Sequence, residues 1–275
     1  MEIRHATHPE QVAALDTDQL RQRFLVEDLF VAGEVRLVHS HEDRVVVGGA
    51  SPLPGTPLEL EAVDALRADT FLARRELAVV VVRGSGSVTV DDAEHKVDAR
   101  DCVYVGRGAT VVRFQAAVEH TRFYLFSTPS HAEHPTAVAR YDDVDALRLG
   151  DPATSNVREI RKFVHADGIR SSQLVLGMTT LAPGSVWNTM PPHTHDRRTE
   201  AYLYFDLPDE HRVVHLMGEP HATRNLVVRN EEVVISPSWS VHSGAGTHAY
   251  SFVWAMGGEN QAYDDVEPVA VTDLR

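Results

Sequence analysis

The chain has 275 residues, of which 43% are hydrophobic, so it is long enough for one large or two small domains with buried cores. A formal net charge of −14 argues against nucleic acid as a partner, and no basic tract indicates a membrane surface. The single cysteine, Cys102, excludes an internal disulfide. Together with the lack of an apolar leader and of any run of about 20 apolar residues, it predicts a cytoplasmic protein that does not enter the membrane.

The N-terminal part of the chain is predicted to form two helices and then a series of short strands. Residues 16–30 have helical apolar spacing after a capping residue, and residues 35–49 have the composition of a strand. The Thr-Pro-Leu-Glu run at residues 56–59 has the form of a capping box with proline at the first helical position. It predicts the second helix, at residues 57–68. From Phe71 onward, short apolar runs alternate with turns, which indicates an all-β barrel or sandwich.

A polar stretch at residues 131–156, broken by prolines and a glycine, is predicted to link two halves of the chain. Residues 141–149 within it are expected to form a short helix. The chain is again rich in strand patterns beyond the linker, and residues 197–202 repeat the pattern of residues 74–79. This repeat predicts two related barrels, in residues 1–135 and 136–275.

Four residues of the second half have the spacing and chemistry of a metal site. His193 and His195 are two residues apart, so on a strand both imidazoles would point to the same face. Glu200 follows across a charged turn, and His242 lies in a later Pro-containing loop. Three imidazoles and one carboxylate suit Zn, Fe, Mn, Ni or Co and do not suit Ca or Mg. The sequence therefore predicts a metal site made of these four residues.

The first half is predicted to lack such a site. When Glu76 is aligned with Glu200, Asp69 and Phe71 take the places of the two histidines. A second His-x-His run at residues 39–41 has no glutamate at the same offset, so we assign it to the structure or the surface and not to a metal site. The first barrel is therefore expected to have no metal.

The histidine pair, the glutamate and the later histidine resemble the two metal-binding motifs of the cupins, which are small β-barrels. More specifically, residues 187–202, 230–252 and 258–265 resemble the 5-keto-4-deoxyuronate isomerases, and the similarity extends from Leu15 to the C-terminus. This resemblance implies a mainly β bicupin with a few short helices, one Zn²⁺ per subunit and a homo-hexamer. It also implies a metal-dependent aldose–ketose isomerase of pectin and uronate degradation. The substrate would be 5-dehydro-4-deoxy-D-glucuronate and the product 3-deoxy-D-glycero-2,5-hexodiulosonate.

A uronate substrate carries a carboxylate, which should pair with a cation at the pocket mouth. Lys162 and Arg224 lie in runs that resemble the family and are the predicted carboxylate partners. Trp187 and Tyr202 are predicted to line the sugar pocket. Glu200 or a metal-bound hydroxide would serve as the general base, and the sequence does not choose between them.

The ligand set by itself leaves other functions open. An Fe(II)-dependent cupin dioxygenase would use the same four ligands. A non-catalytic bicupin that binds sugar acids is a further alternative, although no helix-turn-helix supports its regulatory form. A storage protein is disfavoured because the ligand set is intact.

Overall fold

The chain folds mainly as β-structure, in a computed structural model that describes residues 1–275. Two short helices, α1 (Pro9–Val12) and α2 (Thr17–Phe24), precede most of the strands. Neither helix has the length and apolar character that a membrane-crossing helix needs. The strands of the first part of the chain are β1 (Glu2–Arg4), β2 (Leu25–Val26), β3 (Val35–Ser40), β4 (Val46–Ala50), β5 (Leu58–Glu59), β6 (Arg75–Arg83), β7 (Gly86–Val90), β8 (Ala93–Val97), β9 (Cys102–Val105), β10 (Val112–Ala116), β11 (Arg122–Pro129) and β12 (Ala137–Ala139). The strands of the second part are β13 (Leu147–Leu149), β14 (Arg158–Val164), β15 (Val175–Leu181), β16 (Trp187–Asn188), β17 (His193–Thr194), β18 (Arg198–Phe205), β19 (Val213–Met217), β20 (Arg224–Val228), β21 (Val233–Ser236), β22 (Ser243–Gly246), β23 (Ser251–Gly258) and β24 (Glu267–Pro268).

The strands form two similar units, each with a seven-stranded and a four-stranded sheet. In the first unit the orders are β1-β3-β4-β11-β6-β9-β12 and β5-β10-β7-β8. In the second unit they are β13-β14-β15-β23-β18-β21-β2 and β16-β22-β19-β20. Within each unit the two sheets bury one apolar core between them. The prediction of a mainly β, two-part cupin-type fold is confirmed, although neither unit closes into a continuous hydrogen-bonded barrel.

The two units pack back to back through the outer faces of their seven-stranded sheets. Ala78 and Val80 of β6 meet the same buried cluster as Leu176 of β15 and Leu203 of β18. The intervening residues of β6 and β18 point into the unit interiors. Both strands are therefore apolar on both faces, which is why they lack the alternation of a half-exposed strand.

Each unit also receives one edge strand from the other part of the chain. β2 pairs with β21 in the second unit, through Leu25 opposite Val234. In return, β12 pairs with β9 in the first unit. Helix α2 packs on the second unit, whose core contains Leu20 and Phe24. The division at residue 135 stays a prediction, and two strand pairings cross it.

The first predicted helix is correct in position but too long. Asp16 caps α2, and its side chain and that of Gln19 form a reciprocal capping box. The helix ends at Phe24 and not at residue 30, because the next two residues join the edge of the second unit as β2. Tertiary pairing overrides helical spacing here.

The strand structure predicted at residues 35–49 is present, as the hairpin of β3 and β4. Two other local predictions are wrong. No helix forms at residues 57–68, since Leu58–Glu59 pairs with β10 and only Asp64–Leu66 turns as a 3₁₀-helix. Residues 141–149 hold a 3₁₀-turn followed by β13 in place of a helix. Leu58–Glu59 has its strand partner far away in the sequence, whereas β13 pairs with the next strand, β14, and neither pairing is visible in the local pattern.

Candidate metal centre

The four predicted ligands lie together at one end of the second unit. His193 Nε2 is 3.2 Å from His195 Nε2 and 3.0 Å from His242 Nε2. Glu200 Oε2 is 2.9 Å from His195 Nε2 and 2.8 Å from His242 Nε2. All four ligand atoms lie within 4.8 Å of one another. A tetrahedral ion with bonds of about 2.0–2.1 Å separates its ligand atoms by about 3.3 Å, and the four adjacent separations are of this order, so the group could hold one ion.

The local backbone explains how residues of different strand parity converge. His193 lies on the short strand β17, which pairs with β24 at the edge of the fold. The chain turns after His195, where the amide of Arg198 bonds the carbonyl of His195, and then enters β18. There Glu200 lies opposite Met256 on β23 and points into the unit. The turn absorbs the odd spacing between the histidine pair and the glutamate.

Two backbone carbonyls fix the tautomers of two of the histidines. His195 Nδ1 is 2.9 Å from the carbonyl of Asp265, and His242 Nδ1 is 3.3 Å from the carbonyl of Ser240. A carbonyl only accepts, so Nδ1 must carry the proton in each ring and Nε2 is left with its lone pair. Such outer hydrogen bonds are typical of metal-binding histidines.

The charges of the group also suit a divalent cation. Burial lowers the pKa of His193 to about 2, and neighbouring His242 adds to the effect, so this imidazole is neutral near pH 7. Burial alone would raise the pKa of Glu200, but His242 and His195 outweigh it and hold the pKa well below its usual range. Neutral imidazole beside ionised carboxylate is the protonation state that binds a metal.

A cavity of about 320 Å³ opens beside this group, and His193, His195 and Glu200 line it. Apolar side chains of β23 form one wall, namely Phe252, Trp254 and Met256. Tyr202, a predicted sugar-pocket residue, lines this cavity, and its hydroxyl lies 3.0 Å from Thr189 Oγ1. The volume lies at the lower end of the range for small-molecule sites, about 300–1,000 Å³.

A C-terminal segment covers the mouth of this cavity. Tyr263, Asp264 and Val266 contribute to its lining. Arg198 is 1% exposed and holds the segment by donating to the carbonyls of Ala262, at 2.6 Å, and Asp265, at 3.0 Å. The guanidinium of Arg198 is therefore used by the fold.

The structure does not bring the other predicted substrate contacts to the cavity. Arg224 donates to the carbonyls of Val12 and Leu15, at 2.8 Å each, and so anchors the N-terminal segment. Lys162 lies with its ammonium 4.9 Å from the ring centroid of Tyr263, outside the lining. Trp187 pairs along β16 and is also absent from the lining.

Arg158 is the cation that lines the cavity, and the sequence reasoning did not find it. It lies on β14, two residues before Ile160, which also lines the cavity. Lys162 is a further two residues along, but β14 is irregular just beyond it. Strand periodicity applied to Lys162 would have indicated Arg158 as an equal candidate.

The first unit has no equivalent ligand group, although the predicted alignment is wrong by one residue. Leu77 pairs with Val105 on β9 as Glu200 pairs with Ser236 on β21. Leu77 therefore takes the place of Glu200, whereas Glu76 points to the opposite face of the strand. A one-residue shift in a strand reverses the face of every side chain.

The chain is similar to known proteins in family, sequence and fold. Residues 24–269 match the KduI/IolB family. A protein of Kineococcus radiotolerans named 4-deoxy-L-threo-5-hexosulose-uronate ketol-isomerase is 52% identical over 280 residues, covering 100% of both chains. A protein of the same name from Halalkalibacterium halodurans is 50% identical over 277 residues, again covering 100% of both. The crystal structure of an IolB-like protein from Salmonella typhimurium LT2 shares the fold, with a TM-score of 0.73 at 16% identity over 87% of this chain and 94% of that one.

Proposed function

The chain belongs to the KduI/IolB family, and we propose that it is a 4-deoxy-L-threo-5-hexosulose-uronate ketol-isomerase of uronate degradation. The observation that carries the proposal is the group of three histidines and one glutamate beside a cavity of about 320 Å³, in a chain about half identical over its full length to proteins of that name. The reaction would convert 5-dehydro-4-deoxy-D-glucuronate, an aldose, to the ketose 3-deoxy-D-glycero-2,5-hexodiulosonate.

The metal would be held by His193, His195, Glu200 and His242, whose donor atoms lie within 4.8 Å of one another. The lowered pKa values of His193 and Glu200 favour a neutral imidazole and an ionised carboxylate, as metal binding requires. Our proposal is one Zn²⁺ per subunit, since three imidazoles and a carboxylate suit this ion, as they do its first-row neighbours. Bound there, the ion would polarise the sugar carbonyl and stabilise negative charge on its oxygen.

Isomerisation also needs a base that removes a proton from the carbon next to the carbonyl and a group that returns it to the neighbouring carbon. Glu200 is the proposed base. Its Oε2 faces His195 and His242, while its Oε1 accepts no hydrogen bond from the protein. The competing carboxylate is Asp264, which is exposed at the mouth of the same cavity.

The substrate carboxylate would pair with Arg158 at the cavity wall. Tyr202 keeps its predicted role as a wall of the sugar pocket, beside the apolar side chains of β23 that limit the entry of water. Lys162 would not contact the substrate directly, since its ammonium stacks on the ring of Tyr263, which lines the cavity.

We further propose that the protein is a cytoplasmic homo-oligomer, and specifically the hexamer that the sequence resemblance implies. Sedimentation of the purified protein tests this, since six chains of 30.4 kDa differ clearly from one or two. A monomer that is fully active on the uronate would refute the oligomer and leave the isomerase proposal intact.

The experiment that tests the activity starts by stripping the protein with a chelator. The loss of the substrate aldehyde is then followed by NMR before and after Zn²⁺, Fe²⁺ or Mn²⁺ is returned. We expect turnover only with metal restored. His242→Ala should lose both metal and turnover, whereas the exposed control His248→Ala should keep both. Metal binding without turnover on any ion would reject the substrate, and oxygen uptake with Fe²⁺ would then favour a dioxygenase.

A further inference from the structure

A second cavity, of about 430 Å³, opens at the end of the first unit. Its lining includes four arginines, Arg44, Arg74, Arg75 and Arg107, and we call it the arginine cavity. His131 and Ser130 complete its polar part, and Phe71 and Leu66 are among its apolar residues. No aspartate or glutamate lines it.

The positive charge of the arginine cavity is uncompensated by ion pairs. None of its four guanidiniums forms a salt bridge, in a protein whose formal net charge is −14. Ten other arginines of the chain do form a salt bridge with a carboxylate, as Arg113 does with Glu59 at 2.8 Å, so the lack of one at all four arginines of this cavity sets them apart. Four like charges around one cavity repel one another, so an anion placed among them would relieve that repulsion.

Arg75 is the most buried of the four, at 6% exposure. Its Nε donates to Ser127 Oγ at 3.0 Å, and its Nη2 donates to the carbonyls of Arg44 and Ser127 at 2.8 Å each. Its Nη1 donates to no protein atom, although Arg75 lines the cavity. Burial lowers the pKa of Arg75 to about 10, and Arg44 contributes, so the group is still charged at neutral pH.

The nearest buried carboxylate, Glu76, does not serve as the missing anion of the cavity. It lies on the opposite face of β6, where it accepts five hydrogen bonds, three of them from the backbone amides of residues 172–174. Its negative charge raises the pKa of Arg75 and so opposes the effect of burial. The Nη1 side of Arg75 is left without an acceptor.

The strand register relates Arg75 of the arginine cavity to Arg198 of the second unit. In the register that aligns Leu77 with Glu200, Arg75 takes the place of Arg198. Arg198 is capped by the carbonyls of the C-terminal segment that covers the metal cavity. Arg75 has no such covering segment. Instead, Arg107 is tied to the rim by bonds to the carbonyls of Ala73, at 3.1 Å, and Ser130, at 3.4 Å.

We propose that the arginine cavity binds a small organic anion through a carboxylate or phosphate group. Guanidinium groups match both anions with paired hydrogen bonds, and a volume of about 430 Å³ accommodates a molecule of the size of a sugar acid. The first unit has no metal-ligand group, so the anion would be bound there without conversion. The site is independent of the proposed isomerase activity.

Calorimetric titration of the full-length protein tests this site. The probes are D-glucuronate and, separately, inorganic phosphate, with D-glucose as the uncharged control. We expect saturable binding of at least one anion, none of glucose, and a weakening with added salt. Arg44→Gln/Arg74→Gln should lower the affinity about tenfold or more, because two charged donors are lost. Both residues are exposed and their side chains make no hydrogen bond, so the fold should be unaffected.

The control variant is Arg83→Gln, an exposed arginine at the far end of β6 that makes no ion pair. It should bind the anions as the wild type does. Binding should also persist in His193→Ala, since the metal cavity is a separate site. The stronger of the two anions identifies the ligand group as carboxylate or phosphate.

Three results would overturn the proposal. One is the absence of saturable binding by either anion. Another is binding that survives Arg44→Gln/Arg74→Gln but disappears in His193→Ala, which would assign the anion to the metal cavity. The third is a wild type that binds neither anion together with a double variant whose oligomeric state differs from that of the wild type. That result would assign the arginines to a contact between subunits.

Discussion

The two oxygens of Glu200 have different surroundings, and this allows one residue to serve both as ligand and as base. Oε2 is shared between His195 and His242, whereas Oε1 accepts no hydrogen bond from the protein. A carboxylate with a low pKa is a weak base near neutral pH. The neighbouring imidazoles lower the pKa of Glu200, so they weaken it as a base. A metal ion between the same groups would change this balance.

Separate substitution of Glu200 and Asp264, the two carboxylates of the cavity, tests which of them is the base. Glu200→Gln should lower kcat by about 10²–10⁴-fold, the usual contribution of a general base. Asp264→Asn should leave kcat within a few-fold, since this residue is exposed at the mouth. Steady-state kinetics and metal content measured together check the assignment. Were Asp264→Asn to lose kcat to the same extent with its metal intact, Asp264 would be the base.

His39 predicts an acid sensitivity of the first unit that is unrelated to metal binding. It is 8% exposed and its Nε2 has no hydrogen-bond partner. Burial lowers its pKa to about 4, with further lowering from Arg75, His41 and Arg44. The unfolded state, with an ordinary pKa near 6.5, takes up a proton before the folded state does. The free energy of unfolding should therefore fall as the pH decreases from about 6.5 to about 4, by about 1–3 kcal/mol from this residue.

Denaturant unfolding of wild type and His39→Gln at pH 7 and pH 5 measures this contribution. The wild type should lose more stability between the two pH values than the variant does. His41→Gln is the matched control, because His41 belongs to the same His-x-His run but is exposed. Equal losses in wild type and His39→Gln would show that His39 is not the sensitive group.

At the level of elements, Glu76 of β6 joins the two units. Its carboxylate accepts from the backbone amides of Ser172, Gln173 and Leu174, and from Tyr104 and Thr128. These bonds link a strand of the first unit to the segment that precedes β15 of the second. A charged acceptor is needed because every partner is a donor.

Replacement of Glu76 by glutamine should therefore be strongly destabilising. A glutamine amide nitrogen would face backbone N–H groups that it cannot bond, at a cost of about 2–4 kcal/mol in the free energy of unfolding. Chemical denaturation at pH 7 provides the measurement. Glu94→Gln, an exposed carboxylate on β8, is the control. A loss below about 1 kcal/mol for Glu76→Gln would contradict the proposed link.

The sequence predicted the features that depend on local chemistry and missed those that depend on distant pairing. The ligand group could be found because His193 and His195 are close in sequence and chemically distinctive. Asp16 marked the start of α2 for the same reason. The end of α2 and the absence of a helix at residues 57–68 follow from pairing with strands far along the chain, which the local pattern does not contain.

The misaligned Glu76 has a related cause. The repeat of residues 74–79 in residues 197–202 places Leu77 at the position of Glu200, as the strand register does. Matching the two glutamates instead shifts the alignment by one residue, and such a shift reverses the face of a strand. Arg158 and the covering C-terminal segment were missed because they are near the metal only in three dimensions.

At the level of the whole molecule, the exchange of β2 and β12 makes neither unit complete without the other part of the chain. Expressed alone, residues 136–275 would lack β2 and the side chains of Leu20 and Phe24 that fill the second core. We expect this fragment to be insoluble or to lack a cooperative thermal transition. Fusion of residues 9–26 to the fragment should restore solubility or a cooperative transition. Circular dichroism melting of both proteins is the measurement. A fragment that melts cooperatively without the segment would refute the dependence.

The same exchange constrains the order of events during synthesis. Leu25–Val26 leaves the ribosome early, but its partner Val233–Val234 is translated about 200 residues later. At roughly 5–20 residues per second, this strand waits about ten to forty seconds for its sheet. Newly made β2 and α2 therefore spend that interval with apolar side chains uncovered, and a chaperone that binds such segments would meet them first at the beginning of the chain.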